Sequence, residues 1–141
     1  MPDKDYSHRD ILDKLGLKPG HAVRVVGGGD RALLARVREK VGRGLVRGGL
    51  ADVVLYWPRT AAEITPTLAE LRVAIVEQGG IWVFTAKRDQ RSASGMGYLN
   101  QSDLIPLGLA AGLVDNKTCS ATEAESAMRF VIRKRDRHGG D

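Results

Sequence analysis

The chain has a single cysteine in 141 residues, and that excludes an internal disulfide and any fold stapled by one. The residue is Cys119, and a lone thiol fits a reducing, cytoplasmic setting. Histidine is scarce as well. His8, His21 and His138 stand far apart, without the spacing that metal ligation asks for, so no metal site is assigned. Aromatic residues make up 5% of the chain, with only two Phe and three Tyr, which argues against a base-stacking platform for single strands. No apolar run approaches the ~20 residues of a membrane span. The opening Met1-Pro2-Asp3-Lys4-Asp5 lacks the basic start and apolar run of a signal peptide, so the expectation is a cytoplasmic protein with no membrane partner. Internal repeats and low-complexity segments are absent, and so are the familiar catalytic motifs.

What is present is an alternation. Three apolar runs, Val23-Arg24-Val25-Val26, Asp52-Val53-Val54-Leu55-Tyr56-Trp57 and Ile81-Trp82-Val83-Phe84-Thr85, are separated by segments of helical period. Such a pattern predicts an α/β fold, a small three-layer Rossmann-like domain spanning residues 1–141 with its core at about 7–135. Ser7 is expected to cap a first short helix with Ile11, Leu12 and Leu15 on one face. Asp30 caps the next, striped by Leu33, Leu34, Val37 and Val41. Thr65-Pro66 opens a third with Leu68, Leu71 and Ile75 inward, stopped by Gly79-Gly80. Ser102 caps a fourth, with Pro106 near its first turn and Gly112 at its close. Residues 117–121 and 127–135 read as two further strands. In the last, Met128, Phe130 and Ile132 alternate with Arg129, Val131 and Arg133, as an antiparallel edge would. The sheet is therefore expected to have about five strands, mainly parallel, with an antiparallel C-terminal hairpin.

Parallel sheets bind ligands at the carboxyl ends of their strands. Gly27-Gly28-Gly29-Asp30 follows the first strand, but it matches neither G-x-G-x-x-G nor a Walker A loop. Its backbone amides could still face an anion, although Asp30 brings its own negative charge; a plain tight turn is the simpler reading. Arg59 follows the second strand, and Lys87 with Arg88 follow the third, so an anion could be gripped on one rim. The candidate ligand residues are Gly28, Gly29, Arg59, Lys87 and Arg88, and no catalytic residue is assigned. Residues 87–98 are polar and small, a candidate mobile loop. Trp57 and Trp82 alternate with aliphatic residues and read as core. Cys119, in a strand with no histidine near in sequence, reads as a small apolar residue.

Net charge is +5, and it is clustered. Residues 24–47 hold Arg24, Arg31, Arg36, Arg38, Lys40, Arg43 and Arg47 against Asp30 and Glu39. Such a run can bind nucleic acid, but a solvated helix face explains it as well.

The order of elements resembles the second half of a Rossmann-like methyltransferase, and the stretch from Ala111-Gly112-Leu113-Val114-Asp115 to Met128-Arg129-Phe130-Val131 is similar to that fold's helix-to-hairpin ending. Two departures stand out. The first loop lacks G-x-G, and little chain is left before Asp52 for the two strands that would carry the acidic partner of the cofactor ribose. No cofactor is assigned, and these departures count against S-adenosylmethionine. A closer resemblance covers residues 11–137. Lys14-Leu15-Gly16-Leu17-Lys18-Pro19-Gly20, Gly80-Ile81-Trp82-Val83, Gly112-Leu113-Val114-Asp115-Asn116-Lys117-Thr118-Cys119 and Arg133-Lys134-Arg135-Asp136-Arg137 resemble an uncharacterised bacterial family, domain of unknown function 3052. The family would put a tryptophan where Glu125 stands, and a proline-lysine step where Thr85-Ala86-Lys87 stands. The resemblance implies a fold and no activity.

The residues favour a non-catalytic binding or regulatory module with a degenerate ligand site at the strand ends, its partner an anionic small molecule. The alternative is a small methyltransferase-like transferase, or an enzyme acting on a nucleotide-like or phosphorylated ligand. Nucleic-acid binding through the basic helix is a weaker third. A homodimer through the terminal strand is a further expectation.

Overall fold

The computed structural model describes residues 10–87 and 101–136. Along them run α1 (Ile11–Lys14), β1 (Val23–Val26), α2 (Arg31–Val41), β2 (Ala51–Tyr56), α3 (Ile64–Arg72), β3 (Ile75–Ala86), α4 (Gln101–Ala110), β4 (Leu113–Ser120) and β5 (Glu125–Ile132). The strands form one sheet in the order β1-β2-β3-β5-β4. The first three are parallel, with Val26 beside Tyr56 and Tyr56 beside Val83. Strand β5 runs antiparallel to β3, and β4 antiparallel to β5. This is the mixed α/β sheet the alternation implies.

The layers follow from the side-chain periods. Helices α3 and α4 cover one face, burying Ile64, Leu68, Leu71 and Leu104 against Val54, Tyr56, Ile81, Val83 and Phe130. Gly108 lets α4 sit close, because a Cβ there would run into the Phe130 ring. On the other face Leu12 and Leu15 of the α1 turn, with Leu33, Val37 and Val41 of α2, pack on Val23, Val53, Leu55, Trp57, Trp82 and Phe84. Asp30 caps α2, its Oδ1 accepting from the Leu33 N–H at 2.8 Å. The Trp82 indole N–H donates to the Leu15 carbonyl at 3.0 Å, tying the end of α1 to the sheet centre.

Several expectations need correction. Ser7 lies outside the described residues, and the first helix is a single turn capped by Asp10, which accepts from Leu12 at 2.9 Å. Helix α3 begins at Ile64 and ends at Arg72, well before Gly79-Gly80. Ile75 belongs to β3, beside Ala51, because the β-branched Ile75-Val76 pair favours extended backbone. The two glycines sit inside β3, where the register against β2 shifts. Ser102 lies within the first turn of α4 instead of capping it, and Pro106 stands in the helix interior. The hairpin strands start earlier than expected, at Leu113 and Glu125. The largest correction concerns the edge. The terminal strand β5 lies between β3 and β4, so it cannot pair with a second copy, and β4 is the outer strand. Arg129, read as an outward edge residue, is half-buried.

Candidate functional site

The carboxyl ends of β1, β2 and β3 leave one side of the sheet through Gly27-Gly28-Gly29, through Trp57-Pro58-Arg59 and through Lys87. Strand β4, parallel to these three, ends there too. The Lys87 ammonium donates to the Ser120 hydroxyl at 2.6 Å, and the Lys87 N–H to the Ala124 carbonyl at 2.8 Å. Topology thus gathers Gly28, Gly29, Arg59 and Lys87 on one rim, with Lys87 turned toward the hairpin. Arg88 lies outside the described residues, as does most of the loop 87–98.

The glycine loop has a cause that local sequence does not display. Gly27 and Gly29 hold φ of 92° and 85°, values that favour glycine. A Cβ on Gly27 would collide with the Trp57 carbonyl, and one on Gly29 would come 2.9 Å from Leu34 Cδ1 and 3.1 Å from the Trp57 ring. Gly28 has open space. Trp57 is 7% exposed and stacks on Phe84 with centroids 4.0 Å apart and planes 13° apart. Its indole N–H donates to Glu125 Oε1 at 3.2 Å. The two tight glycines are therefore accounted for by Trp57, Gly27 by its backbone carbonyl and Gly29 by its indole together with Leu34.

The electrostatics of the rim are mixed. Burial pushes the Glu125 carboxyl above its ordinary value, and the nearby Asp30 charge adds to this, while the Trp57 N–H opposes both. Two carboxylates thus stand beside the glycine loop. Arg59 is exposed and faces Glu63. Burial alone would raise the Glu63 carboxyl, but hydrogen bonds from Tyr56, Arg59 and Thr60 and the Arg59 charge hold it below the usual range. The Tyr56 hydroxyl donates to Glu63 Oε2 at 2.8 Å, and burial drives its own pKa upward. Glu125, Ser120 and Glu63 are the rim residues that sequence reasoning missed. Glu125 had one signal, its departure from the expected tryptophan.

Other candidates resolve plainly. Trp82 is 1% exposed and is core, as the alternation suggests. Cys119 is half-buried, and burial raises its thiol pKa despite the nearby Lys14 charge. On α2, Arg36 pairs with Asp10 at 2.7 Å and Lys40 with Asp13 at 3.2 Å, so part of the basic face is spent on α1. Among the described residues no group of three or more His, Cys, Asp or Glu could hold a metal, and no helix is long and apolar enough to cross a membrane.

A family model described as "Protein of unknown function (DUF3052)" matches residues 12–134. The chain belongs to this family. Among curated proteins the sequence finds no match. Solved structures share the fold of this DUF3052 chain at low identity. A SAM-dependent methyltransferase from Aquifex aeolicus superposes with a TM-score of 0.65 at 12% identity, covering 86% of this chain and 88% of that one. A TehB-like SAM-dependent methyltransferase from Corynebacterium glutamicum gives 0.55 at 10% identity, covering 87% and 85%. The mitomycin 7-O-methyltransferase MmcR gives 0.60 at 15% identity, covering 80% of this chain and 49% of its own. The DUF3052 chain thus spans about half the length of that last protein. The sheet is methyltransferase-like.

Proposed function

We propose that this DUF3052 chain is a non-catalytic binding or regulatory module. It keeps a methyltransferase-like sheet and takes an anionic small molecule at the strand-end rim, between Gly28, Arg59 and Lys87, with Gly29 and Arg88 as neighbours in sequence. The observation that carries this reading is the closure of Trp57 on the glycine loop. In a cofactor-binding loop the glycines leave room for the ligand's phosphate or nucleoside. Here the room is taken by an indole fixed on three sides, by Phe84, by Glu125 and by the loop itself. The carboxylates of Asp30 and Glu125 favour no further anion at that point. Arg59 and Lys87, on adjacent strand ends, bring cationic groups to the rim among the described residues. Between Val41 and Ala51 the chain makes only a 3-10 turn at Gly42–Gly44 and a single bridge from Leu45 to Val23, which leaves no place for two more strands.

Calorimetric titration with S-adenosylmethionine, S-adenosylhomocysteine, nucleotides and phosphate tests the reading, together with a methyl-transfer assay. Binding of an anionic probe that weakens about tenfold in Arg59→Ala or Lys87→Ala is the expected result, since a charged hydrogen bond contributes about 1.5–3 kcal/mol. Saturable S-adenosylmethionine binding with methyl transfer would overturn it in favour of a small transferase.

A further inference from the structure

Strand β1 is an outer strand of the sheet, and its free side is thinly covered. The Trp57 N–H donates to the Val26 carbonyl at 2.8 Å and the Asp52 N–H to the Ala22 carbonyl at 2.7 Å, so the even-numbered residues turn their backbone groups toward β2. The Val23 carbonyl points the other way and accepts from the Val46 N–H at 2.9 Å, beside a single bridge from Val23 to Leu45. Val25 shares that outward direction, and its N–H and carbonyl meet no partner among the described residues. We propose that this edge takes an extended acidic segment of another protein, which adds to the sheet as a further strand beside β1.

The backbone argues for a strand. An unpaired donor and acceptor on an outer strand form a template for another chain. Val25 and Val26 are half-buried, Val25 packed on the α2 side of the sheet and Val26 on the α3 side, so both faces of an added strand find apolar neighbours. Main-chain hydrogen bonds give such an addition its affinity, and alternate side chains give its specificity.

Charge selects the occupant. On α2, Arg36 and Lys40 turn toward α1, where they pair with Asp10 and Asp13. With about 3.6 residues per turn, Arg31 and Arg38 fall on the opposite flank. Helix α1 is tied to β3 by the Leu15–Trp82 bond, so that opposite flank overlooks the outer side of β1. Arg24 stands in β1 itself, and Arg43 and Arg47 lie on either side of Leu45-Val46. None of these arginines makes an ion pair among the described residues. The acidic groups of the same stretch do not cancel them. Asp30 caps α2 through the Leu33 N–H, Asp52 accepts from the Ala22 N–H, and Glu39 is exposed without an ion pair. A second copy is a poor occupant, because two-fold pairing of β1 edges brings like charges together at Arg24. Nucleic acid would use the charge but neither the outward backbone pair nor the valines.

The test uses a short fluorescein-labelled peptide of alternating Glu and Val. Its binding is read by anisotropy, and amide exchange at Val25 is followed by NMR. Binding that slows exchange at Val25 is the expected result, with no binding by the Lys-Val counterpart. A Glu-Val peptide with N-methylated backbone keeps the charge and loses the donors, so it should bind about tenfold more weakly. The double variant Arg24→Gln, Arg38→Gln should weaken the Glu-Val peptide about tenfold, while Arg36→Gln, on the α1 flank, leaves it within about twofold. The proposal is overturned if the Glu-Val peptide does not bind at millimolar concentration, if the N-methylated peptide or the double variant binds as tightly, or if exchange at Val25 is unchanged in the complex. It is overturned equally if a DNA duplex binds this edge more tightly than the peptide, or if Val25 becomes protected as protein concentration rises without peptide, which would assign the edge to a second copy.

Discussion

Trp57→Ala is the substitution on which the reading of the rim depends. The indole is nearly fully buried, stacked on Phe84, and hydrogen-bonded to Glu125. Truncating a buried Phe or Trp to Ala costs about 3–5 kcal/mol. Against a total stability of about 5–15 kcal/mol that is a large share. Trp57→Phe separates packing from polarity. It keeps an aromatic face against Phe84 and the glycine loop but removes the N–H that Glu125 accepts. Its expected cost is smaller, about 1–3 kcal/mol, the penalty for a buried polar group that loses its partner. A double-mutant cycle with Phe84→Leu should show a coupling of about 0.5–1.5 kcal/mol from the stack. Urea unfolding followed by far-ultraviolet circular dichroism reads all of these variants, because Trp57 and Trp82 share one core cluster and indole fluorescence would report the substitution itself. If Trp57→Ala costs under about 1 kcal/mol, well below the range for a buried aromatic, the indole does not wedge the loop. Gly29 would then need a ligand to explain it, while Gly27 would still be required by the residue 57 carbonyl.

Two further outcomes follow from the same rim. Gly29→Ala should destabilise by more than about 1 kcal/mol, from positive φ and from the Cβ contact with Leu34, whereas Gly28→Ala should stay within about 0.5 kcal/mol; equal effects in thermal melts would show that Trp57 does not dictate the loop. Glu125 governs a pH dependence. Burial, with Asp30, raises its folded-state pKa above 4.5, so the folded chain holds the proton more tightly than the unfolded one. This contribution is fully present below the unfolded pKa and is lost as pH rises through the raised folded value. Glu125→Gln should flatten that decline in urea midpoints measured from acid to neutral pH, and a steeper decline in the variant would refute the assignment.

Much of the parallel half was legible because its signals are local. The run Val23–Val26 is apolar but for Arg24 and is bounded by a turn and by glycines, and it forms β1 with those limits. Asp30 could be read as a cap because the stripe of α2 starts right after it. The errors fall where a residue serves two patterns. Ile75 completes a helical spacing with Leu68 and Leu71, yet it also opens a β-branched pair, and sheet pairing with Ala51 decided between them. Arg129 alternates with apolar neighbours as an edge residue would. Only the strand order places it inside the sheet, and that order depends on pairings between residues far apart in sequence. Glu125 and Ser120 escaped for the same reason, since their partners Trp57 and Lys87 lie on other strands.

A glycine-rich turn after a strand has two physical causes, and sequence alone does not separate them. Either a ligand must approach the backbone, or a side chain of the protein does. At Gly29 the atoms in the way belong to Leu34 and Trp57, so the second cause is sufficient. The same test at Gly80 finds a polar group in the way. There the intruding group is the Arg129 guanidinium, a charge set opposite Lys117 by a bulge in an edge strand. Packing an indole into a turn stabilises the fold by burying apolar surface. Gly27 and Gly29 of the turn after β1 are thus explained by the chain's own packing. The glycine beneath Arg129 is explained by the guanidinium that lies across it.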